Sequence, residues 1–266
     1  MPELPEIFIF ARDMQKELQG RIISGSEILQ PKCLNLSPAA FRRATQGAVM
    51  EKVGCHGKWI QAQTSRGWLL FNLGMGGELL LRTRQTLPEK YRLILDFQDG
   101  SCLVVNFWWF GYVHWARELA AHKMSAKLGP NALDLNLEQF HALLKGRRGG
   151  IKNLLLNQAR IAGIGNVTVQ DPLFRARLHP ARTIESLTQD EVAALHAALQ
   201  HTLRQAIEAG GSQWELNLYG QRGAWDSSYF DIAYREGKPC PVCGTTVEKI
   251  KTGATSGYIC PQCQPL

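Results

Sequence analysis

Two cysteine pairs near the C-terminus, Cys240-Pro-Val-Cys243 and Cys260-Pro-Gln-Cys263, constrain the folding of this chain more tightly than any other feature. A C-x2-C pair is a tight knuckle, and two knuckles separated by residues 244–259 present four thiolates to one point. That is the donor set and spacing of a tetrahedral structural zinc site. The competing reading is two local disulfides, which would close very short loops and restrain little. Four thiolates fill the coordination shell of zinc and leave no position for a reactive water, so the metal organises a hairpin and performs no chemistry. The other three cysteines, Cys33, Cys55 and Cys102, have no partner spacing and read as free thiols of a reducing compartment.

The opposite end reads Met1-Pro2-Glu3-Leu4-Pro5-Glu6. Methionine before a small residue is usually removed after synthesis, which would leave Pro2 as the mature N-terminus. A terminal amine titrates at roughly 7.7–8.0, so a useful fraction is unprotonated near neutrality. Such a secondary amine attacks an aldehyde-like carbon to give an iminium, the electron-sink logic of a lysine Schiff base. Glu3, its neighbour, is placed to move the protons. Proline at position two is also common in proteins with no such chemistry.

Between these ends the chain falls into two patterns. A short helix is expected from Ala11 to Gln19, and the stretch to about residue 118 reads as strands. Tyr91–Phe97 and Ser101–Phe107 are apolar runs joined at Asp99-Gly100, a strong hairpin signal. Gly129-Pro130 reads as the connection to a helical half. There Thr188 and Glu191 form a capping box, with Leu187 and Val192 as its staple. Val192, Leu195, Leu199, Leu203 and Ile207 recur at helical spacing until Gly210-Gly211, a core face with no chemistry assigned. The 266 residues carry a net charge of +7 and the pI is near 9.1, which suits a polyanionic partner. Neither a signal segment nor a run of about 18 apolar residues is found, so the expected location is cytoplasmic, nucleoid-associated if the source is bacterial, with no membrane partner.

The two ends, with Gly57-Lys58 and Ile161-Ala162-Gly163-Ile164-Gly165-Asn166, resemble the formamidopyrimidine-DNA glycosylase and endonuclease VIII family, of which this would be a divergent member. The resemblance runs over essentially the whole chain. It implies an α+β multidomain fold: an N-terminal β-sandwich with a terminal helix (1–126), a helix-two-turn-helix domain (131–231) and a zinc-finger β-hairpin (232–266). DNA would lie in the cleft between them. The implied function is a base-excision-repair enzyme, a bifunctional glycosylase and abasic-site lyase acting as a monomer on double-stranded DNA with damaged bases or abasic sites. The alternative is a non-catalytic relative that binds such DNA.

The same resemblance implies the site residues. Pro2 is the nucleophile, Glu3 the proton donor, Glu6 its support, and Lys58 a grip on phosphate near the lesion. Met75 and Phe110 fill the void left by a rotated-out nucleotide. Asn166, on a turn whose glycines admit a phosphate, donates to the backbone, and Lys152 and Arg160 flank it with charge or as solvated surface residues. Cys240, Cys243, Cys260 and Cys263 hold one structural Zn2+. Three departures stand out. Trp108-Trp109-Phe110-Gly111 replaces an Arg-Arg-Phe-Gly loop, so Trp108 offers stacking where an arginine would read the opposite base. No arginine follows Gly253 in the hairpin, leaving Lys249 and Lys251 as partial substitutes that lack its bidentate fork. Asn72 and Thr168 stand where many relatives have histidine and tyrosine.

Overall fold

In the computed structural model the described residues are 1–108 and 110–266. They form two compact units, Met1–Lys127 with Ala209–Ala224, and Leu128–Glu208 with Trp225–Leu266. Residues 209–224 therefore pack in the first unit although they follow the longest helix of the second. The linear partition at 126, 131 and 232 does not coincide with these units.

The first unit opens with α1 (Leu4–Leu18). This corrects the expected start at Ala11, and the reason is local. Glu3 is the extended N-cap, Pro5 occupies the first turn where no amide bond is required, and the Glu6 carboxylate returns to accept from the Glu3 amide at 2.8 Å. Prolines that read as helix breakers thus sit where a helix tolerates them. Ile7, Phe10, Met14 and Leu18 form the buried stripe of α1.

Eight strands follow: β1 (Ile23–Ile28), β2 (Met50–His56), β3 (Trp59–Thr64), β4 (Gly67–Asn72), β5 (Glu78–Thr83), β6 (Leu93–Phe97), β7 (Ser101–Asn106) and β8 (Tyr112–Ala116). They pair antiparallel in two sheets, ordered β1-β6-β7-β5 and β2-β3-β4-β8. Ile60, Ala62, Leu69, Phe71 and Val113 from one sheet meet Leu79, Leu93, Leu95, Leu103 and Val105 from the other. The outer face of the β6–β7 pair is also covered, with Leu80, Ile94, Cys102 and Val104 packed together beside Leu216. Burial on both faces explains why these strands read as continuous apolar runs. The expected hairpin at Asp99-Gly100 joins β6 and β7, with Gly100 at φ +85°. One helix inside the strand region went unforeseen: α2 (Pro38–Thr45), whose N-cap Ser37 Oγ accepts from the Ala40 amide at 3.3 Å.

The second unit contains α3 (Leu137–Leu144), α4 (Ile151–Leu156), α5 (Gln170–Arg175), α6 (Gln189–Glu208) and the hairpin β9 (Glu248–Thr252) and β10 (Thr255–Ile259). The capping box of α6 forms as expected: Thr188 N donates to Glu191 at 2.8 Å, and Glu191 N to Thr188 Oγ1 at 3.2 Å. Val192, Leu195, Leu199 and Leu203 are buried, and Ile207 is half-buried at the end of the stripe. Asp171, on α5, accepts from the amides of Ile232 and Ala233 at 2.9 and 3.0 Å, tying the segment before the hairpin to the helices. No helix among the described residues is long and apolar enough to cross a membrane.

Candidate functional site

At the N-terminus of α1 the chain concentrates buried carboxylates. Glu3 and Glu6 are 6 % and 7 % exposed, and Pro2, just before them, is buried. Glu6 accepts from two amides far apart in sequence, Glu3 N at 2.8 Å and Ser212 N at 3.0 Å. Burial pushes the Glu6 carboxyl up to about 7; the two amides oppose this and the charge of Glu3 adds to it. A carboxyl that titrates near neutrality can hold or pass a proton at physiological pH. Gly211, at φ +86°, lets the 209–224 segment lie against the Glu6 side chain. Glu215 from the same segment is 3.2 Å from the terminal amine of Met1. Sequence alone could not place Ser212 or Glu215 here, because no local pattern links them to α1.

Lys58 lies in the β2–β3 turn, half-buried, after Gly57 at φ +56°. The Asn72 amide locks this turn to the next loop: its Nδ2 donates to the Lys58 carbonyl at 3.0 Å and its Oδ1 accepts from Gly74 N at 3.2 Å. A Cβ on Gly74 would run into the Phe110 carbonyl, and Trp108 N donates to the Met75 carbonyl at 3.2 Å. The loops bearing Lys58, Met75, Trp108 and Phe110 are thereby interlocked. Met75 is 45 % exposed, Phe110 41 % and Trp108 85 %. Three large apolar side chains held in solvent by packed loops are suited to entering a gap in a base stack. Trp108 does not turn inward; Trp109 lies outside the described residues.

The second unit brings the remaining candidates together around α4, the turn before α5, and the hairpin. Two expectations need correction here. Lys152 is not a surface charge. It is 1 % exposed, and its Nζ donates to Thr252 Oγ1 at 2.8 Å and to the Ser256 carbonyl at 2.6 Å. Burial lowers its ammonium to about 8, and the side chain bolts α4 to both strands of the hairpin instead of reaching for phosphate. The glycine amides of the Gly163–Asn166 turn are also committed internally: Gly163 N to Gln158 Oε1 at 2.9 Å, and Gly165 N to Thr168 Oγ1 at 3.2 Å. Thr168 thus closes the turn. Asn166 is half-buried, and its backbone and side-chain oxygens accept from Gln170 Nε2 at 2.8 and 3.1 Å, which aligns the amide group and reserves its Nδ2 as a donor. Gln170 also accepts from Tyr258 N at 3.2 Å, so one buried amide couples this turn to β10. Lys251 is exposed on β9, and Lys249 lies 4.0 Å from Glu236.

The four thiols of Cys240, Cys243, Cys260 and Cys263 lie within 4.8 Å of one another. Individual Sγ separations are 3.9 Å for Cys240–Cys263, 3.4 Å for Cys243–Cys260 and 3.5 Å for Cys243–Cys263. A tetrahedron with metal–sulfur bonds near 2.3 Å has edges of about 3.8 Å, so the donor set fits one structural zinc ion. Gln264, 1 % exposed, holds the second knuckle by accepting from Cys260 N at 3.1 Å and donating to the Leu178 carbonyl at 2.8 Å.

Three family descriptions match along the chain: "Formamidopyrimidine-DNA glycosylase N-terminal domain" over residues 1–107, "Formamidopyrimidine-DNA glycosylase H2TH domain" over 128–217, and "Zinc finger found in FPG and IleRS" over 237–266. The formamidopyrimidine-DNA glycosylase of Chloroflexus aurantiacus is 36% identical over 272 residues, covering 99% of this chain and 98% of the relative. That of Streptococcus pneumoniae strain R6 is 34% identical, covering 99% of each. Among solved structures, the Lactococcus lactis Fpg in complex with abasic-site DNA matches with a TM-score of 0.91 and 25% identity, over 99% of this chain and 100% of that one. With three consecutive domain matches and full-length relatives above 30% identity, the chain belongs to the formamidopyrimidine-DNA glycosylase family.

Proposed function

We infer that this protein is a base-excision-repair enzyme, a bifunctional DNA glycosylase and abasic-site lyase. Its substrate is duplex DNA carrying damaged or oxidised bases, or abasic sites, and it acts as a monomer in the cytoplasm. The observation that carries the reading is the buried carboxylate pair at the head of α1, adjacent in sequence to Pro2, with Glu6 fixed by the amides of Glu3 and Ser212. Relatives over the full length are named formamidopyrimidine-DNA glycosylases, and solved neighbours are Fpg complexes with abasic-site or damaged-base DNA.

In the reaction the Pro2 nitrogen, freed by loss of Met1, forms a bond to C1′ of the damaged nucleotide as the glycosidic bond breaks. The base leaves with the bonding electron pair and takes a proton. Glu3 gives a proton to the ring oxygen, the C1′–O4′ bond opens, and the nitrogen lone pair completes the iminium. Loss of a C2′ proton then expels the 3′ phosphate, and water releases the enzyme. Glu6, titrating near 7 through burial, holds the Glu3 backbone in place and can exchange protons with this network. Lys58 meets the flanking phosphate, and the exposed Met75 and Phe110 occupy the emptied stack. Zinc supplies no chemistry; it folds the hairpin that presents Lys251.

Borohydride reduction of the protein mixed with abasic-site duplex is the direct test, because only an iminium is trapped as a stable covalent complex. The expected result is a trapped species at Pro2 in protein lacking Met1. Pro2→Gly should trap poorly, and Glu3→Gln should bind damaged DNA with turnover reduced about a hundredfold or more. Uniformly retained Met1 with no trapped complex would overturn the enzyme reading in favour of a binding protein for damaged DNA.

A further inference from the structure

Beside the residues already placed, the second unit carries a cleft whose exposed side chains are rich in donors. Between α3 and α4 the chain reads Lys145-Gly-Arg147-Arg148-Gly149-Gly150. Gly146 and Gly149, at φ +68° and +93°, turn the backbone so that the two arginines between them face solvent. With Asn153, Asn157 and Arg160 they line a cavity of about 440 Å3 that has no aspartate or glutamate in its wall. Arg175 and Arg182 in the same unit pair with Asp231 and Glu191. Among the described residues, Arg147, Arg148 and Arg160 have no such carboxylate. The Asn157 side-chain Oδ1 accepts from the Ala159 amide at 3.0 Å, leaving its NH2 group as the donor. A guanidinium donates five hydrogen bonds and accepts none. The chemistry such a wall recognises is an anionic, oxygen-rich group, and phosphate suits the forked arginine geometry.

The surroundings of the cleft point to nucleic acid rather than a free anion. Between Asn157 and Arg160 sits Gln158, whose amide holds Gly163 N at 2.9 Å and the Ile164 carbonyl at 2.8 Å, so this wall is continuous with the turn bearing Asn166. On the other side Asn153 stands against Gly253 in the hairpin turn. The cleft therefore lies between the turn bearing Asn166, which the family resemblance implies for the DNA backbone, and the hairpin that presents Lys251. We propose that Arg147, Arg148 and Arg160 form an additional phosphodiester-binding site, gripping the bound duplex beyond the phosphates met by Asn166 and Lys251. In a chain whose hairpin lacks an arginine after Gly253, this site supplies bidentate phosphate contacts from the opposite side of the hairpin turn. The inference rests on the DNA-repair reading.

The test compares wild type with the triple variant Arg147→Gln, Arg148→Gln, Arg160→Gln and with the corresponding triple lysine variant. The probe is a duplex of about 30 base pairs carrying a tetrahydrofuran abasic analogue, titrated over a range of salt. Each phosphate contact contributes about 0.9 to the slope of log affinity against log salt. The glutamine variant should therefore show a slope flatter by about two to three and affinity lower by roughly tenfold or more near physiological salt. Lysine should restore most of the slope. Zinc content and the thermal unfolding midpoint should match wild type, which separates a binding loss from misfolding. Equal slopes in wild type and the glutamine variant would overturn the proposal. So would tight binding of inorganic pyrophosphate, at constant ionic strength, that the glutamine variant loses without any change in DNA slope. A wild type that neither binds the duplex nor forms a trapped complex would instead defeat the underlying DNA-repair reading.

Discussion

Glu6 in the first unit and Lys152 in the second are both buried ionisable groups that join distant stretches of chain, yet they depend on different supports. Glu6 ties the head of α1 to Ser212, against a sandwich core that runs through two four-stranded sheets. Lys152 ties α4 to a two-stranded hairpin whose buried cluster, among the described residues, consists of Phe174, Ile232, Cys240, Val247, Tyr258 and Cys260, with Cys263 packed against it. A two-stranded hairpin is marginal in water without further support. The first unit can thus hold a costly carboxyl because hydrophobic burial already fixes its backbone. The hairpin needs metal and polar ties to exist at all. The chemistry proposed for this protein lies on the part whose fold does not depend on the site.

Metal removal should break that contrast most sharply. Structural zinc contributes on the order of 10–16 kcal/mol in small zinc folds. Cys260→Ser, or chelation of the wild type, should unfold the hairpin, expose the Lys152 ammonium and weaken duplex binding, while the sandwich unfolds at an unchanged midpoint. Metal analysis with hydrogen exchange resolved by segment would check this. Protection of residues 248–259 persisting at well under one zinc per chain would show that side-chain ties alone suffice.

How far these supports were legible follows from the range of the interactions. The cysteine knuckles, the Thr188–Glu191 capping box and the Asp99-Gly100 hairpin are set within a few residues, and each forms where its pattern lies. The start of α1 is not legible because a glutamate N-cap followed by a proline in the first turn is an uncommon way to begin a helix. α2 carried a legible Ser37-Pro38 signal, obscured by the strand pattern on either side. Lys152 was misread because its burial is decided by Thr252 and Ser256, about a hundred residues away, and a lysine without a visible partner defaults to the surface. Ser212 was invisible for the same reason, and with it the environment that makes Glu6 unusual.

Glu6 offers a test of the other side of the comparison. Its carboxyl is raised in the folded protein, from an ordinary value of 4.5 to about 7, chiefly by burial. The sign follows from linkage. A group raised on folding contributes its stabilisation fully below the unfolded value and loses it as pH rises through the folded one. The stability of wild type relative to Glu6→Gln should therefore fall by up to about 3 kcal/mol between pH 4.5 and about pH 8.5. His114, held down to about 4 by burial and by His122 beside it, titrates in both proteins and cancels in the difference. Urea unfolding of both proteins across this range is the measurement. A flat difference curve would mean that Glu6 is ionised in the folded state, and that its amide partners outweigh its burial.

The smallest expected effect concerns the exposed loop. Trp108, 85 % exposed and held through its backbone to Met75, is the side chain we propose meets the base opposite the lesion. A bidentate arginine contact discriminates between bases by roughly 1–3 kcal/mol, about tenfold to a hundredfold in affinity. An indole donates at most one hydrogen bond and otherwise stacks, which every base permits. Excision with a fixed lesion should accordingly vary less than about tenfold as the opposite base is changed among all four, with no strong preference for cytosine. Trp108→Ala should weaken binding to every pairing alike, by the roughly 1–3 kcal/mol that one stacked base contributes. Because the side chain is exposed and its loop is held by backbone contacts, the substitution should leave the sandwich intact, so the loss reports on DNA alone. Single-turnover rates and affinities across four matched duplexes decide the matter. A hundredfold preference for cytosine, or a Trp108→Ala loss confined to one pairing, would show that a hydrogen-bonding side chain reads the orphaned base and that stacking does not set the specificity of this loop.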